Sequence, residues 1–228
     1  MTTATPPRDP ETRGVRLVAV LLALMLVSGL IDAVSYLGLG HVFTANMTGN
    51  VVILGFAAAG TPGFSVPRSA TSLAAFALGA ALGGRVAARF GTGSRRRWTR
   101  VTLSVEAALL TGAAVVASAG SGAAVTRYAL IALTAFAMGL RNANTRKLGV
   151  PDLTATTVLT TTLTGLVSES RLGDGSSDRT PRRAAAVAAL FAGAVLGAWL
   201  ILDRGPGVPL AVAAAVSAVL ALVASGRE

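Results

Sequence analysis

The chain has 228 residues with 20 basic against 10 acidic side chains, yet only 13% of it is charged and 53% is hydrophobic, with a mean hydropathy of +0.66. That balance excludes an ordinary soluble domain. The absence of cysteine, with a single histidine, excludes a disulfide framework, a thiolate nucleophile and a metal centre built from Cys or several His.

Residues 1–14, MTTATPPRDPETRG, are polar and proline-rich and read as a disordered tail, followed by one integral membrane domain over residues 15–228. The run Leu17 to Leu39 is too long for a signal-peptide core and has no A-x-A site, so it is expected to stay as a span. Five further plain spans follow, Ser69 to Phe90, Val101 to Ala119, Val125 to Leu140, Ala184 to Leu202 and Val208 to Ala224, each near the length needed to cross about 30 Å of hydrocarbon. Two segments differ. Val42 to Gly60 opens with Asn46, Thr48, Gly49 and Asn50, and Asp152 to Ser168 is rich in threonine with Pro151 before it. Threonine hydroxyls can bond back into a helix, but such segments are poor partners for lipid.

The basic residues lie between apolar runs rather than on a solvated domain, so they are read as topology signals and no nucleic-acid partner is expected. If both unusual segments cross, giving eight spans, the 20 basic residues split ten and ten. If both dip in and return, seventeen lie on one side and only Arg68, Arg127 and Arg204 on the other. A seven-span arrangement gives fourteen against six. Cytoplasmic loops carry the excess of Lys and Arg, which favours six spans with both termini inside. Arg141 is counted there as a cytoplasmic anchor or an anion ligand, and Arg95, Arg96 and Arg97 with Trp98 as an inner-leaflet anchor.

The halves, about residues 15–120 and 124–226, can be superposed in sequence. Gly29-Leu30-Ile31-Asp32-Ala33 matches Gly139-Leu140-Arg141-Asn142-Ala143, and Met47-Thr48-Gly49-Asn50 falls against Leu159-Thr160-Thr161-Thr162. Pro67-Arg68-Ser69-Ala70 matches Pro181-Arg182-Arg183-Ala184, and Gly79 and Gly83 match Gly193 and Gly197. Three spans per half insert with opposite orientation, the inverted-repeat plan common among secondary transporters. The Gly-x-x-x-Gly pairs read as helix-packing faces rather than phosphate loops. The expected fold is therefore an all-α membrane protein, a helical bundle of about six full spans plus two re-entrant or broken helices, with an inverted internal repeat.

The stretch GLIDAVSYLGLGHVFTANMTGNVVILG, paired with AFAMGLRNANTRKLGVPDLTATTVLTTTLTGL, resembles the bacterial YoaK-like membrane proteins, the DUF1275 family. The resemblance implies a multi-pass protein of the bacterial inner membrane and no established substrate. Where the family's second motif reads like Thr-Gly-Thr, this chain has Thr160-Thr161-Thr162, so the backbone freedom of Gly49 has no counterpart in the second half.

Polar side chains at bilayer depth are costly unless they face protein, water or a ligand. The candidate substrate-binding residues are Asp32, Asn46, Thr48, Gly49 and Asn50 from the first half and Asn142, Asn144, Thr160 and Thr162 from the second, with Ser35, Thr145 and Thr157 beside them. Asn and Thr supply donors and acceptors without charge, which suits a small neutral or zwitterionic solute, or an ion held by carbonyls and hydroxyls. Asp32 and Glu106 are the candidate coupling groups, and Asp152 reads as an N-cap. No H-E-x-x-H, G-x-S-x-G or paired-carboxylate pattern is present and no cofactor is implied, so a non-enzymatic role is expected. The reading is a small-solute or ion permease, with a membrane scaffold or regulatory subunit as the alternative. The partners expected are the bilayer and an unidentified solute or ion, with oligomerisation left open.

Overall fold

The computed structural model describes residues 11–90, 95–120, 123–148, 159–170, 173, 175 and 180–223. They form eight helices: α1 (Glu11–Gly38), α2 (Met47–Ala58), α3 (Val66–Phe90), α4 (Arg95–Ala119), α5 (Ala124–Leu148), α6 (Leu159–Ser168), α7 (Thr180–Arg204) and α8 (Gly207–Val223). Helix α1 already runs at Glu11, inside the stretch expected to be a tail; residues 1–10, and the Asp152 cap, lie outside the described residues. Five helices, α1, α3, α4, α5 and α7, are long and apolar enough to cross a membrane. Helix α8, with 17 residues, is about 25 Å long and completes the bundle as its shortest long member. Helices α2 and α6, with 12 and 10 residues, are about 18 and 15 Å long, too short to span.

Lipid tails are as apolar as leucine, so hydrophobic burial does not drive these helices together; close backbone contact does. Glycine provides it. A Cβ on Gly29 of α1 would collide with the Leu190 carbonyl oxygen and lie 2.8 Å from the Ala194 amide on α7, while Gly193 and Gly197 face the Leu26 and Leu30 backbone of α1. On the other side, a Cβ on Gly139 of α5 would collide with the Phe76 carbonyl oxygen and lie 2.9 Å from the Ala80 amide on α3, while Gly79 and Gly83 face the Phe136 and Leu140 backbone. Both seams, α1 with α7 and α3 with α5, run parallel. The Gly-x-x-x-Gly pairs are helix-packing faces, as their spacing suggests. Helix α4 lies antiparallel to α8, with Ser118 near the end of one against Gly207 at the start of the other.

The core sits where α1, α4, α5 and α8 meet, filled by Val27, Leu30, Ile31, Leu110, Ile131, Met138 and Leu210. Helix α5 continues past the expected end at Leu140 to Leu148. Arg141 is therefore 3% exposed within the bundle and not a cytoplasmic anchor, and Arg183 is 4% exposed in α7. Without those two, the charge count still stands at fifteen against three.

The segment after α1 dips and returns. Gly40 and His41 take left-handed backbone angles, φ 96° and 58°, which reverse the chain at the helix end. The amides of Thr44, Ala45 and Asn46 then reach Asp32, six residues or about 9 Å back from the end of α1. Asn50 meets Ser72, six residues into α3 and at a similar depth. Helix α2 carries the chain outward again, so the first unusual segment is a re-entrant hairpin with an extended descending arm and a helical return.

Candidate functional site

Asp32 anchors the descending arm. Its Oδ1 accepts hydrogen bonds from the backbone N–H groups of Thr44 (3.1 Å), Ala45 (2.8 Å) and Asn46 (3.3 Å). Converging amides of this kind stabilise an anion. Asp32, a candidate coupling and solute-binding group from the sequence, holds a loop with this carboxylate oxygen.

Asn50 is fully buried and acts on the same arm. Its Oδ1 accepts from the Phe43 amide at 2.8 Å, while its Nδ2 donates to the Phe43 carbonyl and to Ser72 Oγ, the latter at 3.0 Å. Ser72 Oγ also donates to the Phe43 carbonyl, at 2.7 Å. Asn50 thus substitutes for a neighbouring backbone strand, satisfying both polar groups of a residue that no helix serves. Asn46 caps α2, its side chain accepting from the Gly49 amide at 3.3 Å. Gly49 lies in the regular first turn of α2, and a Cβ there would meet the Phe43 ring at 2.7 Å. Its role is room for that ring rather than a bend. Thr48 is exposed. His41 is exposed too, its Nδ1 lying 3.4 Å from the Gly63 carbonyl oxygen, so its ring is turned to the α2–α3 connection rather than to Asp32.

A second cluster lies deeper, at the junction of four helices. Glu106 of α4 is fully buried, and its Oε1 accepts from Arg141 Nη1 of α5 at 3.2 Å and from Ser217 Oγ of α8 at 2.9 Å. Arg141 Nη2 donates to Ser28 Oγ of α1 at 2.6 Å and lies 2.8 Å from Met138 Sδ. Glu106 Oε2 is buried with no hydrogen-bond partner among the described residues. Ser28 is ten residues before the end of α1 and Ser217 ten residues after the start of α8, which places the cluster about 15 Å from that end of the bundle, near its middle. Sequence reasoning named Glu106 and Arg141 separately but did not join them. The only signal was that each is a charge inside or beside an apolar run, and their 35-residue separation carries no periodicity.

In the second half, Asn142 is half-buried, and Asn144 is buried with its Oδ1 lacking a partner among the described residues. Thr145 donates to the Asn142 carbonyl at 3.2 Å. Thr162 is buried at the position of α6 that matches Asn50 in α2, whereas Thr160 is exposed and its carbonyl accepts from Thr164 Oγ1 at 2.9 Å. Helix α2 packs on α3 and α6 on α7; α2 and α6 do not form a packed pair. Arg183 reaches α6, donating from Nη1 to the Gly165 carbonyl at 2.8 Å and pairing with Glu169 at 2.9 and 3.1 Å. Thr157 lies outside the described residues. Among the described residues no three His, Cys, Asp or Glu side chains come together to hold a metal ion.

Comparison with known proteins places the molecule. The family model "Protein of unknown function (DUF1275)" matches residues 20–223. The chain is 36% identical over 153 residues to the UPF0700 transmembrane protein YoaK of Bacillus subtilis (strain 168), an alignment covering 66% of this chain and 65% of that protein's length. No solved structure matches.

Proposed function

We propose a transport role for this chain, which belongs to the DUF1275 family of multi-pass membrane proteins: a small-solute or ion permease of the bacterial inner membrane. The observation that carries the reading is Glu106 with Arg141, a buried charge pair near the middle of the bundle with one carboxylate oxygen unpartnered among the described residues. A charge at that depth is costly, and such groups line substrate or ion paths. A pair kept only for stability is weak design, since apolar side chains of similar volume do as well or better.

The two seams support an inverted repeat. Gly29 against Leu190 and Ala194 is the counterpart of Gly139 against Phe76 and Ala80 at the offsets of the sequence match, and Gly193 against Leu26 is the counterpart of Gly79 against Phe136. Such a plan suits rocking of one unit against the other around a central site. We place that site around the four-helix junction and the polar side chains Asn142 and Asn144 on the following turn of α5, with Thr162 of α6 and the Asp32-anchored hairpin as its flanks.

The scaffold reading draws on a different observation: Asn50 and Asp32 are engaged by the backbone of their own hairpin. Because the chain has no cysteine, single-cysteine labelling separates the two. For a permease, Cys at Asn142, Asn144, Asn46 or Thr162 in membrane vesicles reacts with an impermeant maleimide from at least one side. Sealing of all four positions from both sides refutes transport and leaves the scaffold. Reporter fusions at Gly60 and Gly173 are expected on opposite sides; the same side refutes the inverted arrangement.

A further inference from the structure

Among the described residues Arg141 stands between two carboxylates: Glu106 at the four-helix junction, and Asp32 one turn further along α1. Arg141 bonds Glu106 directly and bonds Ser28, which lies one helical turn, about 6 Å, before Asp32 on the same face of α1. The two acids are held differently. Asp32 has three backbone amides on one oxygen, whereas Glu106 has Arg141 and Ser217 on one oxygen and, among the described residues, nothing on the other, although that atom is buried. Two negative charges share one positive, and of the two acids Glu106 is the fully buried one while Asp32 is half-buried, so the uncompensated charge is costliest on Glu106, where it is removed by taking up a cation or a proton.

We propose that Glu106 is a proton-exchange site and that Arg141 is shared between Glu106 and Asp32, so that proton loading of Glu106 loosens the descending arm of the hairpin. In the ionised state Arg141 is held on Glu106, and Asp32 is left to bind the amides of Thr44, Ala45 and Asn46. When Glu106 takes up a proton, on the oxygen with no partner, its hold on Arg141 falls to that of a neutral hydrogen bond. Asp32 is then the remaining carboxylate on which Arg141 acts, and a guanidinium drawn to its second oxygen takes up part of its charge and turns it, weakening the bonds of the first oxygen to the loop amides. The proton is gained from and returned to water; no covalent bond of the protein changes.

The charged groups around Glu106 are accounted for by helix. Helix α5 supplies Arg141 and carries Arg127, Tyr128, Arg146 and Lys147 toward its two ends; α1 supplies Asp32 one turn beyond Ser28 and carries Glu11, Arg13, Arg16 and Tyr36 toward its ends; α8 contributes Ser217 and has no ionisable side chain; α3 carries Arg68, Arg85 and Arg89 toward its two ends; α4 carries its other ionisable residues in its first two turns. As a protonation site the inference stands alone. As the coupling step of a transporter it rests on the function proposed above.

The test uses the full chain in lipid vesicles with one cysteine at Thr44, buried in the arm, and a reference chain with one cysteine at Thr48, exposed four residues later. The ratio of their maleimide labelling rates removes the intrinsic pH dependence of the thiol. Acidification is expected to raise the Thr44-to-Thr48 ratio severalfold; in Glu106→Gln the ratio is high and flat with pH, and in Glu106→Asp the pH response returns. A ratio that does not change with pH in the otherwise unsubstituted chain overturns the proposal, with no need for a folded Glu106 variant. So does a pH response that survives Glu106→Gln unchanged, or one that follows sodium or potassium concentration instead of pH. A pH response with all four positions of the transport test sealed upholds the proton site and refutes transport; a flat ratio with those positions open does the reverse.

Discussion

Gly29→Ala and Gly139→Ala probe the two parallel seams with one methyl group each. At Gly29 the new Cβ would lie 2.8 Å from the Ala194 amide and collide with the Leu190 carbonyl oxygen; at Gly139 it would lie 2.9 Å from the Ala80 amide and collide with the Phe76 carbonyl oxygen. Ordinary contact is 3.4–4 Å, and the obstacles are backbone atoms that no rotamer change can remove. The helices must part, and overpacking of this kind costs about 1–3 kcal/mol. Against that stands a gain of about 0.5–1 kcal/mol from replacing a mid-helix glycine by alanine. The net cost therefore lies between about 0 and 2.5 kcal/mol, and because each new methyl meets two backbone atoms both substitutions should fall well inside that range, at similar values since the two environments correspond. Gly112→Ala in α4, where nothing lies within 4 Å of the new Cβ, shows the gain alone. Thermal unfolding in detergent, followed by tryptophan fluorescence, ranks the three: Gly112→Ala at or above the parent, Gly29→Ala and Gly139→Ala below it. If either seam variant is as stable as Gly112→Ala, that seam does not run backbone to backbone; if the two differ by more than the spread of repeat melts, their environments are not equivalent.

Two further changes test the polar interior. Asn50→Ala leaves the Phe43 amide without its acceptor and should cost about 2–3 kcal/mol, while Thr48→Ala two residues earlier stays within about 0.5 kcal/mol; equal melts for both would show that Asn50 does not hold the arm. Glu106→Ala strands Arg141 and should destabilise by about 3–5 kcal/mol, whereas Glu106→Leu combined with Arg141→Met recovers most of that loss by removing both charges. A double variant no more stable than Glu106→Ala alone would mean the two residues are not coupled.

The hairpin shows how far the sequence reached. A segment with Asn46, Thr48 and Asn50 at its start is a poor partner for lipid, and the charge bias favours its return; both inferences describe the observed dip. The role of each residue was not legible, because it depends on which backbone groups the dip leaves without partners. Asn50 serves Phe43, seven residues away across the turn from the descending arm into α2, and that arm itself exists only because Gly40 and His41 reverse the chain with left-handed backbone angles that no spacing rule anticipates. The Gly-x-x-x-Gly pairs were legible as packing faces since two glycines four apart share one side of a helix. That Gly79 meets α5 and Gly193 meets α1 was beyond them.

By itself the sequence determined the solvent, the order of the long helices and the place in the first half where the backbone cannot cross, because these follow from local hydropathy and the cost of unpaired polar groups in lipid, while the helix ends, Glu11 for α1 and Leu148 for α5, did not follow from it. Only the tertiary structure decided that Arg141 belongs to the interior and not to a cytoplasmic loop. It lies one residue past an apolar run, where an anchor and a buried ion-pair partner look alike. Glu106, Ser28 and Ser217, from three other helices, settle the matter by giving its guanidinium and its counter-charge a place to bond.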